Sequence, residues 1–422
     1  MKVLLINHSD LAGGAARAAY RLHQGLQQLS VDSQMLVQQK LSDDRAVFAP
    51  TTRLATSIGN SRIAVDALPL KFYPQRHNLT YSLQWLPERT RAKIAQLAPD
   101  VINLHWIGEA LLQVETIAKL ARPIVWTLHD MWAFTGGCHY DHNCDRYKFS
   151  CGSCPQLGSN CDWDLSRWVW QRKAKAWKQL DLTIVVLSSW LRDCAASSSL
   201  FQNCRIELIP NGIDLEVYRP IDQKLARKLL RLPEDKQLIL FGSLGATSDK
   251  RKGFHLLQPA LQQLEQLGWQ DVELAIFGAS RPQKPPEFGF KTHYLGILKD
   301  DLSLTLAYCA ADVFVLPSLQ DNLPNTVLEA IACGTPAVGF QIGGMPDLIE
   351  HQQNGYLAKP YQIEDLAQGL IWILENESRR QKLSDRARQK AEQEFSLQLQ
   401  AKRYLNLFQE LTGAKKYSLQ SS

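Results

Sequence analysis

The sequence lacks any run of 18 or more apolar residues, so no segment reads as a membrane-spanning helix. It also lacks a signal-peptide core: the apolar start Val3-Leu4-Leu5-Ile6 is too short, and no small-residue cleavage site follows. That start reads instead as a first buried strand. The expected setting is cytoplasmic and reducing, with peripheral contact at the inner membrane face left open. Charge of one sign is scarce. Forty-seven Lys and Arg against 42 Asp and Glu leave +5 on 422 residues, which excludes a dedicated nucleic-acid binder. An anionic small substrate or an anionic membrane surface remains compatible with that balance. No repeat of solenoid period is visible. Cysteine is missing before Cys138, yet five of the nine fall between Cys138 and Cys161. Nine in a chain of this length do not make a disulfide scaffold. Nine of eleven tryptophans lie at or before Trp190, so the two halves differ in character. Asn78-Leu79-Thr80 matches a glycosylation sequon that is inert without secretion.

What is present is an ordinary globular composition in which short apolar runs alternate with amphipathic stretches. Strands are predicted at Val3–Asn7, Gln34–Val37, Val101–Leu104, Ile124–Leu128 and Leu182–Leu187. A second series falls at Leu238–Gly242, Glu273–Phe277, Thr292–Leu295, Val313–Leu316 and Ala337–Phe340. Helices are predicted at Gly14–Leu29, Glu109–Leu120, Gly253–Leu267, Asp300–Ala310, Thr326–Cys333, Ile363–Asn376 and Ser396–Leu411. Strands alternating with helices imply βαβ units and parallel sheets. The expected fold class is α/β, with two doubly wound Rossmann-like domains facing across a cleft. Ligands of such sheets bind beyond the carboxyl ends of the strands. The turn chemistry of Ile209-Pro210-Asn211-Gly212-Ile213-Asp214 marks the boundary. The expected domains are 1–210, carrying a Cys-rich insertion at 138–161, then 211–395, then a tail helix and frayed end over 396–422.

The most informative segment is Leu316-Pro317-Ser318-Leu319-Gln320-Asp321-Asn322-Leu323-Pro324-Asn325-Thr326-Val327-Leu328-Glu329-Ala330, which opens at a strand end and closes inside the next helix. Asn325 is placed to cap that helix, and the amides of the helix start suit a phosphate. Glu329 can present a carboxylate to vicinal hydroxyls such as those of a ribose. Asp321, eight positions earlier on the loop, can grip sugar hydroxyls at the other end of the same ligand. A surface loop with an acid complementing the helix dipole is the competing reading.

This segment resembles the E-x7-E region of glycosyltransferase family four, whose fold is GT-B. Other motifs follow in the family's order over nearly the whole chain: Gly13-Gly14 after the first strand, Ile209-Pro210-Asn211-Gly212, Lys252-Gly253, Gly343-Gly344-Met345-Pro346-Asp347 and Gly355-Tyr356-Leu357. The resemblance implies a transferase that moves a sugar from a nucleoside diphosphate donor with retention of configuration. It implies that the first domain takes the acceptor and the second the donor, and that the tail helix crosses back to the first. It places the ribose on Glu329, the donor sugar on Asp321 and the pyrophosphate on Lys252. Asp321 is one methylene shorter than the family's usual Glu. The Arg that often follows the glycine ending the second domain's first strand is replaced by Ser243, and Arg251 or Lys250 is the compensating candidate. The donor-binding set is therefore Gly13, Gly14, Arg251, Lys252, Asp321, Asn322, Leu323, Asn325, Thr326 and Glu329. The family's cleft histidine falls on His129, in Thr127-Leu128-His129-Asp130, in a supporting role because a front-side mechanism needs no enzyme base. His105, ending the preceding strand, is a second acceptor-side candidate.

Two local features lie outside this scheme. Cys151-Gly152-Ser153-Cys154, with Cys138 and Cys144, offers either four ligands to a structural zinc or free thiols in a packed loop, with His139 and His142 as alternative ligands. No metal or other cofactor is expected in catalysis. Trp163, Trp170 and Trp177 recur every seven residues among Arg167, Arg172, Lys173, Lys175 and Lys178. The stripe either packs on the first sheet or lies on a membrane surface. The expected function is transfer of a hexose-type sugar to a saccharide or lipid-linked acceptor in polysaccharide or glycolipid biosynthesis. A nucleotide-sugar epimerase and a catalytically inactive nucleotide-sugar-binding subunit are the alternatives.

Overall fold

The computed structural model describes residues 1–50, 52–77, 79–88, 90–243, 249–282 and 286–413. Asn78 of the sequon and the tail from residue 414 lie outside them. The chain divides into two compact units, Met1–Pro210 with the stretch from Gln400, and Asn211–Leu399.

The first unit is built on a parallel sheet of seven strands: β1 (Lys2–Ser9), β2 (Asp32–Gln39), β3 (Val47–Phe48), β4 (Val101–Leu104), β5 (Ile124–Leu128), β6 (Leu182–Val186) and β7 (Arg205–Leu208). Their spatial order is β3-β2-β1-β4-β5-β6-β7. The second unit holds β8 (Gln237–Gly242), β9 (Val272–Phe277), β10 (Thr292–Gly296), β11 (Val313–Leu316), β12 (Ala337–Phe340) and β13 (Gly355–Ala358), in the order β10-β9-β8-β11-β12-β13, also parallel. The central strands are continuous apolar runs because both faces are covered; every residue of β5, β11 and β12 is buried. Both sheets are the doubly wound α/β type expected.

Five helices matter for the sites: α1 (Gly14–Gln28), α2 (Leu165–Trp177), α3 (Asp301–Ala310), α4 (Asn325–Ala332) and α5 (Leu397–Thr412). The last of these sends Tyr404, Leu407 and Phe408 into the core cluster formed by Val3, Leu5 and Val125 of the first sheet. Among the described residues, no helix is long and apolar enough to cross a membrane.

Three strands escape the apolar-run criterion. β3 has two residues, β7 is the mixed edge segment Arg-Ile-Glu-Leu, and β13 opens on a glycine. The helix expected over Glu109–Leu120 shrinks to Val114–Ile117, because Glu109 and Ala110 adopt left-handed backbone at φ 55° and 60°.

Candidate functional site

The second unit's site forms where β8 and β11, neighbours in the sheet, release the chain at their carboxyl ends. After β8 comes a short helical turn, Lys250–Lys252, opened by Asp249, whose side chain accepts from the Arg251 amide. Gly253 closes it at φ 73°, and a Cβ there would meet the Pro317 carbonyl oxygen at 1.7 Å. Only glycine lets the turn lie this close to the loop after β11. The two segments are then sewn together: the Leu319 amide donates to the Arg251 carbonyl at 2.8 Å, and Arg251 Nη1 donates to the Gln320 carbonyl at 3.0 Å.

This contact brings Lys252 Nζ to 2.7 Å from Asp321 Oδ2, with Arg251 Nη1 at 3.4 Å from the same oxygen. Ser318 Oγ donates to Oδ2 at 3.2 Å and the Asn322 amide to Oδ1 at 3.1 Å. From behind, Gly343 at φ 52° approaches so closely that a Cβ would meet the Asp321 carbonyl oxygen at 2.0 Å. Burial alone would raise the Asp321 carboxyl, but Lys252 and Arg251 outweigh it and hold it below the ordinary range. Burial lowers Lys252 by more than Asp321 restores. The result is a compact ion pair with two cations on one carboxylate. Ser243, in the slot where the family often has Arg, is buried.

α4 begins directly after this loop. Its N-cap is Pro324, and no side chain caps the helix start. This corrects the expectation for Asn325, which is the first helical residue; its Oδ1 accepts from Asn211 Nδ2 at 3.0 Å and is tied to the start of the second unit. Asn322 and Leu323 are buried beneath the helix start, with Thr326 partly exposed beside it. One turn in, Glu329 is only 4% exposed, and Tyr308 of α3 donates from its hydroxyl to Glu329 Oε2 at 2.9 Å. Burial and the neighbouring carboxylate keep the Tyr308 phenol protonated, well above its ordinary value, so it stays a donor. Tyr308 was not legible as a site residue, because an aromatic at helical spacing among Leu304, Ala307 and Ala310 reads as core.

Gly13 and Gly14, by contrast, lie in the first unit at the carboxyl end of β1. Gly13 at φ 93° precedes α1, and a Cβ there would meet nothing within 4 Å. His105 and His129 meet in the same unit past the ends of β4 and β5, with Nδ1 of His105 3.0 Å from Nε2 of His129 and the ring planes inclined by 27°. They line a pocket with Trp106, Asp130 and His139. Asp130 Oδ2 pairs with His139 Nδ1 at 2.7 Å and accepts from Trp106 Nε1 at 2.8 Å; His139 Nε2 lies 2.9 Å from Ser82 Oγ. Burial would raise Asp130, but His139 and the other donors hold it below the ordinary range. Ser82, His139 and Asp130 share the hydrogen-bond order of a hydrolase triad, yet Ser82 is buried and does not line the pocket.

The comparisons with known proteins divide along the same two units. The model described as Glycosyltransferase Family 4 matches residues 12–217, and that of Glycosyl transferases group 1 matches residues 222–390. The chain belongs to glycosyltransferase family 4. Sulfoquinovosyl transferase of Arabidopsis thaliana is 27% identical over 370 residues, which cover 82% of this chain and 66% of that protein. A D-inositol 3-phosphate glycosyltransferase of Xylanimonas cellulosilytica is 30% identical over 200 residues, covering 44% of this chain and 46% of its own. The family-4 chain thus spans about two thirds of the first relative and under half of the second. Among solved structures, sucrose-phosphate synthase of Thermosynechococcus elongatus matches with a TM-score of 0.69 at 18% identity, over 98% of this chain and 100% of that one. The Anabaena protein Alr3699/HepE in complex with UDP-glucose matches at 0.67 and 17%, over 97% and 100%. These likenesses show the fold, GT-B.

The family-4 chain departs from the four-thiolate reading of its Cys-rich insertion. Among the described residues, no group of three or more His, Cys, Asp or Glu side chains is placed to hold a metal ion, and Cys138, Cys144, Cys151 and Cys154 are free. Beside the insertion lies Lys173 of α2, lowered by burial to about 7. It is fully buried, donates to the carbonyls of Trp132 and Thr135, and lies 3.6 Å from the Trp132 ring centroid. Burial, with the neighbouring thiols adding to it, pushes the thiols up, Cys151 to about 12. The insertion is clamped instead by Asp164, the N-cap of α2, which also accepts from the Cys154 amide at 2.7 Å. Elemental analysis of reduced protein checks this: zinc far below one per chain is expected, and one tightly held zinc per chain contradicts it.

Nor do the heptad-spaced tryptophans form one stripe. Trp177 is in the core, while Trp163 precedes the helix and is 72% exposed. Arg172 is turned inward, with two nitrogens on Glu115 at 2.7 and 2.6 Å.

Four histidines of the first unit, His8, His23, His105 and His129, are lowered by burial, His129 to about 4. In the unfolded chain each titrates near the ordinary value of about 6.5. The folded state therefore binds fewer protons in that window. Stability is fully present above about pH 6.5 and is lost as pH falls toward 4, on the order of 2 kcal/mol for His129 at pH 5. Most tryptophans sit in this unit, so fluorescence-detected urea unfolding at pH 7 and pH 5 reads it directly. A lower midpoint at pH 5 is expected; an unchanged one contradicts the burial of neutral imidazoles.

Proposed function

We propose that the chain is a retaining glycosyltransferase that moves a hexose-type sugar from a nucleoside diphosphate sugar to a saccharide or lipid-linked acceptor, in polysaccharide or glycolipid biosynthesis. The observation that carries this reading is the Lys252–Asp321 pair set at the ends of β8 and β11, immediately before the α4 start that holds Glu329. Two fixed cations beside a helix N-terminus suit a pyrophosphate, and a buried carboxylate one turn on suits the ribose diol.

In the transfer, the bond from the anomeric carbon to the phosphate oxygen breaks with its electron pair leaving on phosphate. The acceptor hydroxyl oxygen forms the new bond on the same face of the sugar, and its proton passes to the departing phosphate oxygen. Charge grows on that oxygen in the transition state, and Lys252 and Arg251 are already fixed where they stabilise it. Arg251 takes the part of the Arg missing at Ser243. Asp321 aims Lys252 and meets the donor sugar. Gly13 and Gly14 let backbone approach the donor, and His129 with His105 serves the acceptor side. No metal or other cofactor has a part in these steps.

An anionic membrane surface is the proposed meeting place for a lipid-linked acceptor, on the cytoplasmic side. Phe72, Phe149 and Trp163 are each more than 70% exposed, which supports this. Co-sedimentation with anionic vesicles checks it.

The function is tested with a panel of UDP- and GDP-sugars and mass spectrometry of products formed with lipid-linked and saccharide acceptors. Donor consumption that requires an acceptor and yields a glycosylated product supports transfer. Donor converted to an epimer without acceptor establishes the epimerase, and binding with no turnover on any acceptor establishes the inactive subunit.

A further inference from the structure

We infer that Asn103 and His105 are positioning residues that fix the tautomer of His129, so that this imidazole carries its proton on Nε2 and acts as a hydrogen-bond acceptor at Nδ1. The chain of reasoning begins at a polar residue in an otherwise apolar strand. Asn103, in the segment Val-Ile-Asn-Leu of β4, is fully buried. Its Nδ2 donates to the Val125 carbonyl at 3.1 Å and to Thr127 Oγ1 at 3.0 Å. Thr127 is held from the other side by the Tyr404 hydroxyl of α5 at 2.9 Å. A carbonyl can only accept, so the amide cannot be turned over without setting two acceptors against each other.

With Nδ2 fixed, Asn103 Oδ1 is the atom that lies 3.0 Å from His105 Nε2. That oxygen is an acceptor, so His105 must carry its proton on Nε2. The His105 ring is buried, which lowers its basicity and keeps it neutral. Its Nδ1 then bears a lone pair, and His129 Nε2, 3.0 Å away, must be the donor. His129 is itself neutral, because burial outweighs the pull of the adjacent Asp130. Asp130 is occupied by His139 and Trp106. The imidazole of His129 is therefore a neutral ring whose only lone pair is on Nδ1.

The consequence for chemistry rests on the transferase reading above. A sugar hydroxyl meeting the His129 side chain meets it as a donor, giving its hydrogen to Nδ1. The ring orients a hydroxyl but cannot supply a proton to a leaving group. The tautomer itself does not depend on that reading.

The test is two-bond ¹H–¹⁵N spectroscopy of the full chain, labelled with ¹⁵N histidine, with His129→Gln used to assign the ring. At pH 7 the wild-type His129 is expected to show a protonated Nε2 and an unprotonated Nδ1; the opposite pattern overturns the inference without any variant having to fold. Asn103→Leu then removes the acceptor that fixes the His105 proton on Nε2, so His105 is free to donate from Nδ1 and His129 to carry its proton on Nδ1 instead. Reversal of the His129 pattern, in whole or in part, is expected, and an unchanged pattern overturns the relay. If the donor panel finds a transferred sugar, Asn103→Leu is expected to lower kcat about tenfold with donor KM within about twofold. An unchanged kcat despite reversal would remove the functional arm alone. Failure to find any transfer, with the tautomer confirmed, would count against the transferase reading and not against the relay.

Discussion

Replacing Lys252 with Ala is expected to lower kcat/KM by about 100- to 1,000-fold, the usual cost of removing one preorganised group that stabilises developing negative charge. The effect is expected mainly in kcat, because the charge Lys252 meets is greatest once the phosphate begins to leave. Its stability cost is small. Asp321 keeps Arg251 at 3.4 Å and Ser318 Oγ at 3.2 Å, and Lys252 is not fully shielded from water, so about 1–2 kcal/mol is expected rather than the full penalty of a broken buried pair. Steady-state kinetics beside a urea titration separates the two. Turnover near wild type would remove Lys252 from the mechanism.

Glu329→Ala is expected to be nearly as severe but to act on donor binding. The carboxylate is the buried group proposed to hold the ribose, so a rise in donor KM of about 100-fold is expected, equivalent to about 2.7 kcal/mol. The Tyr308 hydroxyl also loses its acceptor, at about 1–3 kcal/mol in stability. Tyr308→Phe distinguishes contact from positioning. It leaves the carboxylate in place and removes only its 2.9 Å donor, so a rise in donor KM below about tenfold is expected. Equal defects in the two variants would mean that Glu329 works chiefly as a partner for Tyr308.

Much of the second unit's candidate site was legible because its determinants are local in sequence. Lys252-Gly253 is a dipeptide whose glycine is demanded by a left-handed backbone and a 1.7 Å approach to Pro317. Asp321 and Glu329 sit on one continuous loop and helix. The strands were legible where both faces are buried, and were lost at β3, β7 and β13, where the strand is short, mixed at the edge, or opened by glycine. The first unit's polar chemistry was legible only in pieces. His105 and His129 end adjacent strands, which marks them, but the amide that orients them is an Asn inside β4, and its own orientation depends on a threonine of β5 that is held by a tyrosine of α5, 277 positions beyond that threonine. His139 reads from spacing as a metal ligand; the fold gives it to Asp130 instead, because the chain from Met131 doubles back and the Met131 amide donates to the His139 carbonyl. The Cys-rich insertion offered two readings from spacing alone; what spacing does not show is that Lys173, on a helix outside the motif, is buried beside its thiols.

The central claim is that the nucleoside diphosphate is held by the second unit at the Lys252 turn and the α4 start. Hydrogen exchange of the full chain, alone and with saturating UDP or GDP, tests it most directly. Slowed exchange concentrated at residues 251–253 and 318–329 with at least one of the two nucleotides is the result expected. Protection confined to the first unit, or bound nucleotide with no protection at those segments, would contradict the account.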